Sequence, residues 1–420
     1  MMRFQLKHLF VAIWHHHPRR KIITWLFLLG IFTSILSNPL HLFAQDPDEL
    51  DRLIGKNDAI LVSDPQGQIL LAKNADKKRI PASILKIFTA LVALHYLGED
   101  YRFPTEFYLD EQSNLKIKGY GDPLLVSEVI VKISQVLSAL LKNSQPMNDL
   151  VIDDSYFSQP LTIPGISSSS QPYDAPNGAL CVNFNTVNFK NTSQGYVSGE
   201  PQTPLLPFVI QKIKASKLNK GRIVFSHNKN EIAIYAGKLF QYFLDKQGIR
   251  FTGKVKLARI NTQTDRLIFR YDSAYSLAQI VTTLLEHSNN FTTNQLLIAT
   301  GAEVIGSPGT LAKGVTIARD YAKNMLDIED MSIVEGSGIS RDNKVSAAQM
   351  DQVLQEFLPY HYLMRREGRE YYKTGTLYGI STRAGYIKSA HGGLYRYVIM
   401  FNSPNKSTES LILRLLRILD

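Results

Sequence analysis

Ser83 and Lys86 place a hydroxyl and an amine three residues apart, at the start of an apolar segment. Residues with this spacing share one face of a helix, so the Lys86 amine can reach the Ser83 hydroxyl. Pro81 suits a first helical position. Ser83 then lies in the first turn, where unpaired backbone N–H groups and the helix dipole favour negative charge. The pair therefore has the chemistry of a serine nucleophile activated by a lysine.

The same Ser-x-x-Lys spacing occurs at Ser226 with Lys229 and at Ser403 with Lys406. Both of these matches lie among polar or turn-forming residues, and we interpret them as solvated loops. The match at Ser83 continues into a segment that is apolar on nearly all sides, which is typical of a helix buried at the centre of a domain. A lysine in such a helix needs a chemical reason, and this favours Ser83 and Lys86 as the reactive pair.

Two further short motifs carry groups that such a pair requires. Ser288-Asn289-Asn290 follows a predicted helix over residues 277–287. Lys373-Thr374-Gly375-Thr376 directly precedes a predicted strand over residues 380–387. Ser-x-x-Lys with Ser-Asp-Asn and Lys-Thr-Gly is the motif set of penicillin-binding proteins and class A β-lactamases. Each motif alone is weak, but their order and context support one another.

The chain resembles the low-molecular-mass class C penicillin-binding proteins, the D-alanyl-D-alanine carboxypeptidase and endopeptidase family (peptidase family S13), over nearly all of residues 58–420. Besides the three motifs, the segments that carry the resemblance are 118–123, 151–157, 173–176, 183–185, 335–343 and 384–386. The resemblance implies an α/β (α+β) fold of the penicillin-binding transpeptidase and serine β-lactamase type. In that fold helices flank an antiparallel sheet, and here a large strand-rich insertion is expected.

The chain divides into a targeting segment, a catalytic domain and an insertion. Residues 1–45 combine a basic stretch with a short apolar core, which predicts a signal peptide or a membrane anchor. We therefore expect an exported, periplasmic protein, with the N-terminal segment either cleaved or retained in the inner membrane. Residues 46–105 and 264–420 predict the catalytic domain. Residues 106–263, rich in turns and strand-like runs, predict one or more inserted domains.

Within the catalytic part, hydrophobic patterning predicts the elements at both ends of the chain. Residues 59–63 and 68–72 predict a hairpin. Residues 380–387 and 395–401 predict the last two strands. Residues 410–419 predict an amphipathic helix that packs on the terminal sheet.

Composition limits the partners. With 47 Lys and Arg against 37 Asp and Glu, the net charge is +10, and about half of the excess precedes the first acidic residue, Asp46. The remaining charge can help the protein approach an anionic polymer, but no segment is typical of nucleic-acid binding. The single cysteine, Cys181, excludes an intrachain disulfide and a cysteine-rich metal site. We expect no cofactor, no metal, no nucleic-acid partner, and membrane contact only through an uncleaved N-terminal segment.

By resemblance, Ser83 attacks the carbonyl of the penultimate D-alanine of a peptidoglycan stem peptide and forms an acyl-enzyme. β-Lactam antibiotics are then expected to acylate the same serine as covalent inhibitors. Lys86 takes the proton of the nucleophile, and Ser288 relays a proton towards the leaving nitrogen. Asn290 holds the substrate amide or Lys86.

The resemblance also assigns the third motif. Lys373 and Thr374 receive the substrate's terminal carboxylate, and the N–H groups of Ser83 and Thr376 form the oxyanion hole. Gly375 belongs to the same substrate-binding segment. Lys373 is in addition a second cation that can depress the pKa of Lys86.

Asp122 and Arg341 are two further candidates for substrate binding. In the family, the motifs that match them are implicated in a pocket for the zwitterionic end of a diaminopimelate side chain, and an acidic and a basic group complement an ammonium and a carboxylate. The alternative is that Asp122 caps a turn and Arg341 makes a structural ion pair. From the sequence both interpretations stand.

The sequence departs from the family at Asn289, where aspartate is usual, and at Asn294, where glutamate is frequent, and this loss of charge could weaken support around Ser288. Two other functions compete. A serine β-lactamase would share the acylation step, but we find no clear omega-loop glutamate motif between Ser83 and Ser288. A catalytically weak peptidoglycan-binding scaffold would keep the fold, which the intact motifs argue against. Carboxypeptidase and endopeptidase activity use the same acyl chemistry, so the residues alone do not separate them.

Overall fold

A six-stranded sheet joins the first and last parts of the chain in the computed structural model, which describes residues 53–142, 146–390 and 392–419. In spatial order its strands are β11 (Arg365–Glu367), β12 (Glu370–Leu377), β13 (Ile380–Lys388), β14 (Leu394–Phe401), β1 (Ala59–Ser63) and β2 (Ile69–Lys73). Every neighbouring pair is antiparallel. The predicted N-terminal hairpin is confirmed, and β1 pairs with β14, so the two ends of the domain share one sheet.

The helices beside this sheet enclose the main hydrophobic core. They are α1 (Leu85–Leu97), α5 (Leu277–His287), α6 (Asn290–Ile305), α7 (Leu311–Leu326) and α8 (Ala347–Phe357). α1 packs against the other four, and it is buried from Leu85 to Leu94. This explains why its sequence is apolar on nearly all sides. α8 packs in turn on β1 and β14.

Two further sheets are built from the middle of the chain. The second sheet has the order β10 (Arg266–Asp272), β3 (Pro104–Leu109), β4 (Leu115–Gly119), β5 (Leu150–Asp153) and β9 (Val255–Leu257). The third has the order β7 (Gly195–Ser198), β6 (Thr186–Thr192) and β8 (Lys220–Val224). The helices of this part are α2 (Ser127–Leu141), α3 (Pro207–Ser216) and α4 (Lys229–Lys246). α2 and α4 pack together, and α4 also covers β5 and β9.

The predicted division into 46–105 with 264–420 and an insertion of 106–263 stays a prediction. The described residues belong to one compact unit by their mutual contacts. Within it, β10 pairs with β3, so the second sheet also takes residues beyond 263.

The C-terminal helix α9 (Glu409–Ile418) confirms the predicted amphipathic helix. Its residues Leu411, Ile412 and Leu415 are buried, and Arg383 of β13 donates to its Glu409 at 2.9 Å. α9 therefore packs on the terminal sheet.

The predicted signal peptide or anchor, residues 1–45, lies outside the described residues. Among the residues that are described, no helix combines the length and the apolar character needed to cross a membrane.

Candidate active site

Ser83 lies in a short 3₁₀ turn, Ala82–Ile84, that leads directly into α1. Thr382 of β13 fixes this turn by donating its hydroxyl to the Pro81 carbonyl at 2.7 Å. Ala82 has φ 49°, a left-handed conformation that costs a residue other than glycine on the order of 1 to 3 kcal/mol. The sheet therefore holds the serine at a strained entrance to a buried helix, as is common at functional sites.

The Lys86 side chain is fully buried and points to the serine. Its Nζ lies 2.9 Å from Ser83 Oγ, 2.7 Å from Asn290 Oδ1 and 2.7 Å from the Ser337 carbonyl oxygen. These three acceptors match an ammonium group. When Lys86 is neutral, its lone pair can instead accept the proton of the Ser83 hydroxyl. The predicted contact between Ser83, Lys86 and Asn290 is present.

The charge of Lys86 is governed by burial and by two ionisable neighbours. Burial and the positive charge of Lys373 hold the pKa of Lys86 well below its usual range, while the carboxylate of Glu335 acts in the opposite direction. The neutral amine is the form that can act as a base. The surroundings thus favour the chemistry that the sequence motif predicted.

The serines of the other two Ser-x-x-Lys matches lie in loops, as expected, and side chains in both matches also make structural contacts. The Ser226 hydroxyl donates to Glu231 at 2.5 Å. Lys406 forms an ion pair with Asp58 at 2.6 Å.

The break between α5 and α6 presents the second motif to Lys86. α5 ends as predicted at His287, and Ser288 adopts a left-handed conformation that terminates the helix. The side chain of Asn289 then caps α6 by accepting from the Thr292 N–H at 2.9 Å. Asn290 is the first residue of α6. Ser288 is half-buried, and within the described part of the chain its hydroxyl has no hydrogen-bond partner, so it is available to a ligand.

The third motif lies within strand β12, whereas the sequence predicted only that it precedes a strand. Lys373 and Gly375 are buried, and Thr374 and Thr376 are exposed, as strand alternation requires. A Cβ atom at Gly375 would lie 2.6 Å from the backbone nitrogen of Ser83. The strand therefore runs directly beside the Ser83 N–H group, and only glycine fits at this position.

Lys373 is the second cation of the site. Burial, together with the charge of Arg365, lowers the pKa of Lys373 to about 8. Its Nζ donates to the Thr374 carbonyl at 2.7 Å. Lys373 is not in hydrogen-bond contact with Lys86, so it acts on that residue through its charge.

Asp122 is buried within the loop that follows β4. Its Oδ1 accepts from the Leu124 N–H at 2.8 Å, the turn-capping role that the sequence left as an alternative. Burial raises the pKa of Asp122 to about 6. No hydrogen bond or ion pair among the described residues joins Asp122 to Arg341 or to Ser83. The pocket predicted from Asp122 and Arg341 thus stays a prediction, and these two described residues share no hydrogen bond or ion pair.

Arg341 contacts the turn that follows the strand of Lys373. Its guanidinium donates to the carbonyl of Tyr378 at 2.5 Å, in the turn between β12 and β13. Arg341 is exposed, and so is Tyr378, at 95%. Both therefore stand at the solvent edge of the strand that carries Lys373.

Two positions near the reactive groups lie in segments that carried the family resemblance, but no role in the site was assigned to them from the sequence. The Ser337 carbonyl accepts from Lys86, and the Tyr173 carbonyl lies 3.4 Å from Asn290 Nδ2. Both contacts use backbone oxygens, which no side-chain pattern reveals. The Glu-Gly-Ser-Gly run that begins at Glu335 was an available signal, because glycine permits close approach of the backbone.

The assembled groups can carry out nucleophilic substitution at a carbonyl. Ser83 supplies the nucleophile, Lys86 a buried base, and Ser288 a second hydroxyl. The backbone of Ser83 and β12 carries N–H groups, and Lys373 carries a positive charge that can attract an anionic group.

Comparison with known proteins supports this chemistry. The D-Ala-D-Ala carboxypeptidase 3 (S13) family model matches residues 40–233 and 215–361. The chain is 24% identical to the D-alanyl-D-alanine carboxypeptidase of Actinomadura sp. (strain R39), with 80% of this chain and 76% of the relative covered. It is 22% identical to the D-alanyl-D-alanine carboxypeptidase DacB of Haemophilus influenzae, with 80% and 83% covered.

Solved structures give the same answer for the fold. The crystal structure of penicillin binding protein 4 from Haemophilus influenzae matches with a TM-score of 0.70 and 20% identity, covering 88% of this chain and 99% of that chain. The predicted penicillin-binding fold, with an antiparallel sheet flanked by helices, is confirmed.

Proposed function

Because the chain belongs to the D-Ala-D-Ala carboxypeptidase 3 (S13) family, we propose that Ser83 is the nucleophile of a serine D-Ala-D-Ala carboxypeptidase and/or D-alanyl endopeptidase acting on peptidoglycan stem peptides. The observation that carries this proposal is the buried Lys86 amine, 2.9 Å from Ser83 Oγ. A lysine of ordinary pKa is less than about 0.1% neutral at pH 7, so its surroundings must lower the pKa before the amine can act as a base.

Acylation then proceeds in balanced steps. Ser83 Oγ forms a bond to the carbonyl carbon of the penultimate D-alanine, and its proton passes to Lys86. The bond from that carbon to the leaving nitrogen breaks, and the nitrogen receives a proton through Ser288. Water afterwards hydrolyses the acyl-enzyme and frees Ser83. The same first step on a β-lactam leaves a long-lived covalent adduct.

The negative oxygen of the intermediate needs donors. We assign this role to the N–H groups of Ser83 and Thr376. The close approach of Gly375 to the Ser83 nitrogen supports this assignment, since it brings the two backbone segments side by side.

Lys373 and Thr374 are assigned to the terminal carboxylate of the substrate. A pKa of about 8 leaves roughly nine in ten Lys373 side chains charged at pH 7. Lys373 thus keeps the charge that attracts a carboxylate and that depresses the pKa of Lys86.

Arg341 remains our candidate for a side-chain carboxylate of the stem peptide, such as that of diaminopimelate. Its exposed position at the β12–β13 turn supports this role. Asp122, buried and engaged with a backbone N–H, has no comparable support as its acidic counterpart.

The basic and apolar pattern of residues 1–45 supports export, and we place the enzyme in the periplasm, where its polymeric substrate lies. No nucleic-acid or cofactor role enters the proposal.

Labelling with fluorescent penicillin tests the proposal. We expect stable labelling of the wild-type protein and none of Ser83→Ala, with Ser403→Ala as a control from another Ser-x-x-Lys match. Rapid release of the label would indicate a β-lactamase, and an absence of labelling would indicate a noncovalent scaffold. Release of D-alanine from a pentapeptide, compared with cleavage of a cross-linked dimer, then separates carboxypeptidase from endopeptidase activity.

A further inference from the structure

Glu335 is a fully buried carboxylate beside the candidate active site. Its Oε1 accepts from Gly338 N (2.7 Å), Asn343 Nδ2 (2.6 Å) and Ser340 N (3.3 Å). Its Oε2 accepts from Ser337 N (2.7 Å), Ser337 Oγ (2.6 Å) and Asn294 Nδ2 (3.1 Å). All six groups are donors, so they satisfy a carboxylate on both oxygens.

This carboxylate orders a loop, residues 335–340, that touches α1 at two points and the turn before α1 at a third. The Gly336 carbonyl accepts from the Thr89 hydroxyl at 2.7 Å. The Ser337 carbonyl accepts from Lys86 Nζ at 2.7 Å. Gly338, at φ 80°, packs so closely that a Cβ atom there would lie 1.9 Å from the Ala82 carbonyl oxygen. The 335–340 loop therefore helps to fix both Lys86 and the backbone that precedes Ser83.

The charges that face Lys86 come from two directions. Lys373, on β12, is a like charge, and Glu335 is an opposite charge. The other groups in contact with the amine, from Ser83, Asn290 and Ser337, are neutral. Arg365 acts on Lys373. The negative charge of Glu335 thus opposes the effect of Lys373 on the pKa of Lys86.

Resting on the proposed function, we propose that Glu335 is a positioning residue that holds Lys86 through the Ser337 carbonyl and offsets the charge of Lys373. A general base must first be neutral and then carry the proton that it removes. Burial and Lys373 favour the neutral amine. The Glu335 carboxylate stabilises the ammonium that forms once Ser83 has been deprotonated, and it does so without touching the substrate.

The variant Glu335→Gln tests this role. In either orientation of the glutamine amide, an NH₂ group replaces a carboxylate oxygen that accepts hydrogen bonds. The donors on that side then lose their acceptor, and the 335–340 loop loses its order. We expect the second-order rate constant of acylation by fluorescent penicillin to fall at least tenfold at pH 8. We also expect the acid limb of its pH profile to move to lower pH, because loss of the negative charge lowers the pKa of Lys86 further.

Two variants serve as control and rescue. Glu111→Gln removes an exposed carboxylate from the loop between β3 and β4. It should leave the acylation rate constant and the acid limb of the pH profile unchanged. Glu335→Gln combined with Asn294→Asp returns a negative charge beside the loop, since Asn294 Oδ1 already accepts from the Gly336 N–H at 2.8 Å. The acid limb should move back towards that of the wild type.

An acid limb that stays in place in Glu335→Gln, whatever the rate does, overturns the proposal. If that variant does not fold, Glu335→Asp decides: it keeps the charge but withdraws it from the loop, and a wild-type acylation rate in it overturns the proposal. Failure of the proposed function has a separate sign, since the wild-type protein would then show no Ser83-dependent acylation before any Glu335 variant is compared.

Discussion

Replacing Gly375 by alanine should disable the site while leaving the fold in place. The added Cβ atom would lie 2.6 Å from the Ser83 nitrogen and 2.4 Å from Thr382 Oγ1. Ordinary van der Waals contact begins near 3.4 Å, so β12 must move away from the Ser83 nitrogen by about 0.8 Å. Neither neighbour can yield easily, because the first is a backbone atom and the second holds the Pro81 carbonyl.

A shift of this size matters more to the reaction than to stability. Displacements near 1 Å in a catalytic geometry can cost about a hundredfold in rate. Overpacking a well-packed region costs roughly 1 to 3 kcal/mol, which a protein of this size can tolerate. We therefore expect acylation by penicillin to slow about a hundredfold in Gly375→Ala, with a modest fall in melting temperature.

The assay compares second-order acylation rate constants and melting temperatures. Gly55→Ala is the matched control, because a Cβ atom there meets its nearest neighbour at 3.3 Å, away from the reactive groups. A Gly375→Ala protein that reacts within threefold of the wild-type rate would refute the close approach of β12 to the nucleophile.

Three further predictions concern charged side chains. Lys373→Met should move the acid limb of acylation to higher pH, because loss of the cation raises the pKa of Lys86; a pH profile checks this, and an unmoved limb contradicts the coupling. Asp122→Asn should stabilise the fold at pH 7 by up to about 3 kcal/mol and have little effect at pH 4. Burial raises the pKa of Asp122 from 3.8 to about 6, so the folded state binds the proton more tightly and stability falls as pH rises through that window. Urea denaturation at both pH values measures the difference, and an equal effect at pH 4 would contradict it. Arg341→Ala should erase a preference for diaminopimelate over lysine peptides of roughly tenfold, and an unchanged ratio of kcat/KM values would remove Arg341 from substrate recognition.

Helices that combine periodicity with end signals could be predicted closely. The bounds of α5 match because Ser276 and Gln279 form a capping box at its start and Ser288 ends it in a left-handed conformation. The apolar surface of α1 likewise predicts that this helix is buried at the centre of the domain. In both, the local sequence and the tertiary environment favour the same structure.

Strand β12 could not be predicted because its residues depart from the usual strand pattern. Lys373 and Gly375 occupy buried positions where a strand normally has apolar side chains, and Gly375 lies directly beside the Ser83 nitrogen. Thr374 and Thr376 face solvent. Positions where a sequence breaks its own structural rule are often functional, and here the broken rule marks the candidate substrate-binding strand.

Long-range placement explains the remaining differences. The sequence identifies Asp122 and Arg341 as complementary charges, but only the tertiary structure separates a buried turn cap from an exposed guanidinium. Most partners of Glu335 lie within eight residues of it in the loop that follows α7, but Asn294 comes from α6, and no local spacing connects that residue to Glu335. The sequence shows which side chains are present, but not which of them are in contact in the folded protein.

The two departures from the family pattern are explained by what the neutral side chains do. Asn289 caps α6 through its Oδ1, a task that asparagine performs as well as aspartate. Asn294 donates to Glu335 and accepts from the Gly336 N–H, which a carboxylate could not do without taking up a proton. An acidic residue at 294 would place two carboxylates in contact, and they would share one charge. With asparagine at 294, this position adds no second carboxylate beside Glu335. The opposing effects of Glu335 and Lys373 on the pKa of Lys86 then depend on the single carboxylate of Glu335.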